Sequence, residues 1–124
     1  MILTRQELQI MKIVWQKGSA TVREVCQVIS QHKPTAYTTV LTLMGILEAK
    51  GALKHVRSGR AYVYRPLLSR EQATHNHVHD LLQRFFDGKP ERLIGNVLEN
   101  EVESAEGLGA IRRLVEARCE DRVA

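Results

Sequence analysis

Long hydrophobic runs are missing from this chain. No apolar stretch approaches the roughly 20 residues that a membrane-crossing helix requires, so insertion into a bilayer is not expected. The N-terminus, with acidic Glu7 and no apolar run, does not read as a secretory signal. Cysteine is scarce: Cys26 and Cys119 are the only two, far apart, with no CxxC or Cys/His metal spacing. Cys26 reads as a buried small hydrophobe and Cys119 as an exposed, reduced thiol, which points to a cytoplasmic setting. The constellations of an enzyme are also absent. There are no paired carboxylates in a plausible pocket, no Ser/His/Asp set and no phosphate-binding glycine loop, so neither catalytic residues nor a cofactor is expected.

Acidic residues are scarce in the first half only. Residues 1–68 carry ten Lys/Arg against Glu7, Glu24 and Glu48, a net of +7, whereas residues 69–124 carry eight against eleven Asp/Glu, a net of −3. A basic half suits a polyanion and an acidic half suits another protein. The length of 124 residues fits one compact domain with an appended assembly element.

The most informative stretch is PTAYTTVLTLMGILEAKG at 34–51. It reads as one helix, with Thr35 as N-cap and Gly51 supplying a left-handed C-terminal position. Val40, Leu43 and Leu47, widened by Met44, form its apolar stripe. Tyr37, Thr38, Thr39 and Thr42 cluster at its N-terminal end and carry hydroxyls and methyls without charge. Such groups suit phosphates and base edges in a major groove; as plain surface threonines they would only face water.

Its neighbours favour the first reading. Thr4-x-x-Glu7 and Thr21-x-x-Glu24 are capping boxes. They predict one helix ending at Lys17-Gly18-Ser19 with Leu8, Ile10, Met11, Val14 and Trp15 on its apolar face. A second should run to about Ser30, burying Val22, Val25, Cys26 and Ile29. With the 34–51 helix these make a helix-turn-helix. Beyond Gly51 the pattern alternates through Leu53 and Val56, turns at Ser58-Gly59 and resumes at Ala61-Tyr62-Val63-Tyr64, a hairpin wing bearing Lys54, His55, Arg57, Arg60 and Arg65. Lys50, Arg57 and Arg60 join the threonine cluster as expected DNA contacts.

A third box, Ser69-x-x-Gln72, should open a helix running to about Phe86. A short helix with Leu93, Ile94, Val97 and Leu98 follows, then an acidic connector at 99–103 and a last helix over about 104–118. The fold class is therefore mainly α: a winged helix-turn-helix DNA-binding domain at 1–67 followed by a helical dimerisation domain at 68–124. The tail has too little chain for a core of its own. Leu81, Leu82, Phe85, Leu93, Val97, Leu108, Ile111 and Val115 are the expected contacts with a second copy, in a C₂ homodimer on a two-fold symmetric site. His75 and His79 share a helix face at metal-ligand spacing. Two imidazoles are not a site, so no metal is expected and the pair reads first as a polar helix face.

LTRQELQIMKIVW at 3–15, TVREV at 21–25, AYTTVLTLMGILEAKG at 36–51, GRAYVYRP at 59–66 and LLQRFFDG at 81–88 together resemble the BlaI/MecI penicillinase-repressor family, which includes copper-responsive repressors. The resemblance implies a dimeric winged-helix repressor acting on a dyad operator in double-stranded DNA. Thr38, Thr39 and Thr42, with Tyr37 beside them, would contact DNA from the helix, and Arg60 from the wing. It also implies relief of repression by a signal, through a membrane sensor protease in one branch and metal in the other. Two positions depart from the family pattern. Ile46, with Gly45 before it, stands where an arginine is usual, and Asn96-Val97 where the cleaved pair is Asn-Phe; the C-terminal CxC pairs of the copper branch are absent. The competing function is a winged-helix module that binds protein and never DNA.

Overall fold

The computed structural model describes residues 1–123. Six helices and three short strands follow one another as α1 (Arg5–Lys17), β1 (Ala20–Thr21), α2 (Val22–Ser30), α3 (Tyr37–Ala49), β2 (Leu53–Ser58), β3 (Ala61–Pro66), α4 (Arg70–Phe86), α5 (Pro90–Asn100) and α6 (Ala105–Val123). The class is the expected one: mostly helical, with a winged helix-turn-helix at the front.

Local chemistry sets the starts of α1, α2 and α4. Thr4 Oγ1 accepts from Glu7 N–H at 3.1 Å while the Glu7 carboxylate accepts from Thr4 N–H at 2.8 Å. Thr21 and Glu24 repeat the exchange, as do Ser69 and Gln72. Each box satisfies two amide groups that the helix leaves unpaired. α3 departs from expectation, because it starts at Tyr37 with Ala36 as N-cap and no side-chain cap. Thr35 is spoken for elsewhere: its hydroxyl donates to Lys33 O at 2.9 Å, and its carbonyl accepts from Ser30 Oγ and Cys26 Sγ. The other end of α3 behaves as read. Gly51 takes φ +88°, and the Gly51 and Ala52 amides donate to Glu48 O and Leu47 O, a Schellman closure.

The helices of the first unit pack on a core of Ile10, Met11, Val14, Val22, Val25, Val40, Met44, Leu47, Leu53 and Tyr64. Leu8, Trp15, Cys26, Ile29 and Leu43, expected inside, lie only partly buried against it. Cys26 stops short of full burial because its thiol turns toward the Thr35 carbonyl at the edge of the core. Trp15 ties α1 to the chain after the wing by donating from Nε1 to Leu68 O at 2.8 Å.

The wing is a three-stranded antiparallel sheet ordered β1-β3-β2. Ser58 pairs with Ala61, which leaves Gly59 and Arg60 as a two-residue turn. Gly59 is left-handed at φ +63°, as the first centre of such a turn favours. β1, which the sequence pattern does not announce, pairs Ala20 with Tyr64 and Thr21 with Val63.

The chain forms two compact units, Met1–Val78 and the remainder from His79 on. The first reaches past residue 67 because Leu68 and Ala73 belong to its core and Leu3 N–H donates to His77 Nε2 at 2.9 Å. In the second, no described residue is buried. α5 continues through Glu99 to Asn100, shortening the acidic connector, and α6 runs on past Arg118.

Candidate nucleic-acid interface

α3 is divided by its own periodicity. Val40, Met44 and Leu47 turn inward and are fully buried, which leaves Tyr37, Thr38, Thr39 and Thr42 exposed together at the N-terminal end. Glu48 is the one charged side chain in the helix, so what this end offers is hydroxyls, methyls and a phenol ring. Thr42 Oγ1 donates to Thr38 O at 2.9 Å. Its hydrogen is thereby turned into the helix, and an acceptor and a methyl remain outward. That pair of features suits an exocyclic amino group of adenine or cytosine, or the methyl of thymine. Gly45 and Ile46 also lie outward; Ile46 is 41% exposed, and nothing lies within 4 Å of where a Gly45 side chain would stand.

The wing supplies the cations. Arg57 and Arg60 are exposed at the tip, where Arg57 Nε donates to Gly59 O at 3.1 Å, and Lys54 and Arg65 are exposed along the strands. His55 instead turns back to α3. Its backbone N–H donates to Glu48 Oε2 at 2.8 Å, and its Nδ1 lies 2.6 Å from the same oxygen. The Tyr62 and Tyr64 rings stand 4.8 and 5.4 Å from the imidazole. Glu48 thus ties the wing to the helix. Lys50 plays a similar part at the base of α3, since its Nζ sits 2.8 Å from Glu7 Oε1, whose side chain is only 3% exposed.

All three carboxylates of the basic half are therefore engaged within the fold. Burial pushes the Glu7 carboxyl up, but hydrogen bonds from Lys50 and Thr4 outweigh it and hold its pKa below the ordinary 4.5. Burial likewise opposes ionisation of Glu48, and the His55 backbone and ring reverse it, again to below 4.5. The Thr21 amide, then its hydroxyl, lowers Glu24. Arg5, Lys12, Lys33, Lys54, Arg57, Arg60 and Arg65 are exposed and make no salt bridge among the described residues. Sequence reasoning missed the roles of Glu7 and Glu48, because their partners lie 43 and 7 residues away and no periodicity connects them.

In the second unit, taken by itself, Leu81, Phe85, Val97, Leu108 and Val115 are exposed and Leu82, Leu93 and Ile111 half-buried; Phe85 reaches 67% and Leu114 72%. Asn96 and Val97 sit inside α5, where Asn100 Nδ2 donates to Asn96 O at 3.0 Å. Both His75 and His79 lie on α4. No cluster of three or more His, Cys, Asp or Glu able to hold a metal ion occurs among the described residues, and none of their helices is long and apolar enough to cross a membrane.

Comparison with known proteins places this geometry. A family model described as penicillinase repressor matches residues 3–117. The penicillinase repressor of Bacillus licheniformis is 31% identical over 110 residues, 89% of this chain and 86% of its own. Among solved structures, the DNA-binding domain of the repressor BlaI is 31% identical, with a TM-score of 0.52 over 56% of this chain and 85% of that one. The monomeric form of Bacillus licheniformis BlaI in complex with the blaP half-operator matches over the same shares at 31% identity and a TM-score of 0.50.

Proposed function

The chain belongs to the penicillinase repressor family, and from that footing we propose that it is a homodimeric transcriptional repressor that reads a two-fold symmetric operator in double-stranded DNA. The observation that carries the reading is the asymmetry of charge around α3. Every carboxylate of the basic half is held by a partner within the fold, while the cations of the wing and the uncharged, hydroxyl-bearing end of α3 both stand exposed. Backbone phosphates meet the wing through Arg57 and Arg60, and base edges meet Tyr37, Thr38, Thr39 and Thr42. Lys50, held by Glu7, supports the seat of α3. The related BlaI domain was solved on a half-operator, which supports one winged unit per half-site.

Pairing of two copies falls to the second unit, whose apolar side chains find no burial within it. Relief of repression belongs to the same unit. The proteolytic route requires α5 to unwind around Asn96-Val97, since a protease takes its substrate extended and this bond lies in a hydrogen-bonded helix. The test is footprinting on the DNA upstream of the protein's own gene, with binding followed across salt concentration. Protection of a dyad, with affinity falling steeply as salt rises, is expected. Equal affinity for random DNA, or a salt-insensitive complex, would remove the reading in favour of a module that binds protein.

A further inference from the structure

A cavity of about 630 Å³ opens between α1, the end of α2 and the turn leading into α3. Its floor is apolar, with Ile13, Val28 and Ile29 each half-buried there. The rim is basic: Arg5 and Lys12 come from α1, His32 and Lys33 from the turn. No carboxylate lines the cavity, and none of these four side chains makes a salt bridge among the described residues. Its volume lies in the range of clefts that enclose small organic ligands. A seat for a bare phosphate needs no apolar floor, and a solvated basic face needs no concavity. Floor and rim together select a molecule with an anionic group at one end and an apolar body at the other.

We propose that this cavity binds a small amphipathic organic anion of the aromatic carboxylate type, and that its occupancy opposes DNA binding. The carboxylate is held by Arg5, Lys12 and Lys33 through charge-assisted hydrogen bonds, and the ring lies on Ile13, Val28 and Ile29. Thr39 makes the connection to DNA, because it lines the cavity and stands at the exposed end of α3. A bound anion there sets negative charge beside the phosphate path and neutralises cations that would otherwise face it. Ligand binding stands independently of the repressor reading; the antagonism with DNA rests on it.

The full chain is titrated with 2-naphthoate while backbone amide shifts are followed by NMR. Two partial probes accompany it: 2-naphthylmethanol, with the apolar body alone, and inorganic phosphate, with the charge alone. Naphthoate is expected to shift amides of α1, the end of α2 and the start of α3. It should bind about tenfold or more tightly than naphthylmethanol, the effect of one charge-assisted hydrogen bond, and about tenfold or more tightly than phosphate, the effect of burying the apolar body. Arg5→Glu with Lys33→Glu is expected to remove that advantage while amides elsewhere keep their positions. Val28→Trp, which fills the floor and keeps the rim, should also block it. Phosphate binding as tightly as naphthoate, naphthylmethanol doing so, or shifts scattered along α5 and α6 would each overturn the site. In a second arm, a labelled duplex from the upstream region is displaced by naphthoate from the wild type. A duplex that stays bound at saturating naphthoate overturns the antagonism. A duplex that never binds sinks the repressor reading instead, and the NMR arm still decides the cavity.

Discussion

At the scale of single residues, two side chains separate reading from support. Thr42 has its hydroxyl hydrogen committed to Thr38 O, so it meets DNA as an acceptor and a methyl. Thr42→Ala removes both and leaves the helix intact, since alanine is the better helix former. Discrimination at one base pair per half-site should fall by about 1 kcal/mol, with affinity for random duplex little changed. Competition among duplexes altered one base pair at a time measures this; a uniform loss on all of them would assign Thr42 to the backbone. Lys50 acts inside the fold. Lys50→Met leaves a nearly buried carboxylate at Glu7 without its counter-charge. The expected loss is about 2–3 kcal/mol in urea unfolding, below the full cost of breaking a buried pair because Lys50 is itself partly solvated. Acid probes the same contact. Glu7 and Glu48 ionise below 4.5 in the folded chain, so the unfolded chain takes up protons first as pH falls. Their contribution is complete above the unfolded value and is lost as pH drops through the folded one. Stability should decline from about pH 4.5 downward, and Glu7→Gln should make that decline shallower.

At the scale of elements, α3 and the wing act as one body because both ends of their junction are pinned. Gly51 turns the chain out of α3 at φ +88°, and Glu48 then receives His55 from the first wing strand. Gly51→Ala has room for its methyl but must hold a left-handed backbone, at a cost of about 1–2 kcal/mol. The expected result is a lower thermal midpoint together with weaker binding to all DNA, as the wing loses its angle to the helix. A loss of stability with DNA binding unchanged would show that the wing angle does not matter. These elements were unequally legible. The boxes at Thr4, Thr21 and Ser69 could be read directly, because donor and acceptor lie three residues apart. The start of α3 could not: Thr35 has the right chemistry for a cap, but Lys33, Ser30 and Cys26 take its polar groups. β1 was equally hidden, since two residues become a strand only when Val63 and Tyr64 arrive beside them.

At the scale of the whole molecule, the two units differ in how completely they bury their apolar surface. The first encloses a core; the second leaves Leu108, Leu114 and Val115 exposed along α6. A single buried aspartate at a dimer contact is strongly unfavourable, so Val115→Asp should shift the protein from dimer to monomer in sedimentation equilibrium. Unfolding of the first unit should be unaffected. A wild-type chain that sediments as a monomer would contradict the proposed pairing. The sequence by itself determined the order of the six helices and the wing hairpin, the hydroxyl-rich end of α3 and the split of charge between the halves. These follow from periodicity, capping and composition, which act over a few residues. Tertiary structure alone decided that Glu7 and Glu48 are held within the fold by Lys50 and His55. It also brought Arg5 and Lys12 beside His32 and Lys33 around one cavity. Those outcomes depend on which side chains arrive together once the core closes, and that distance in space is not written in distance along the chain.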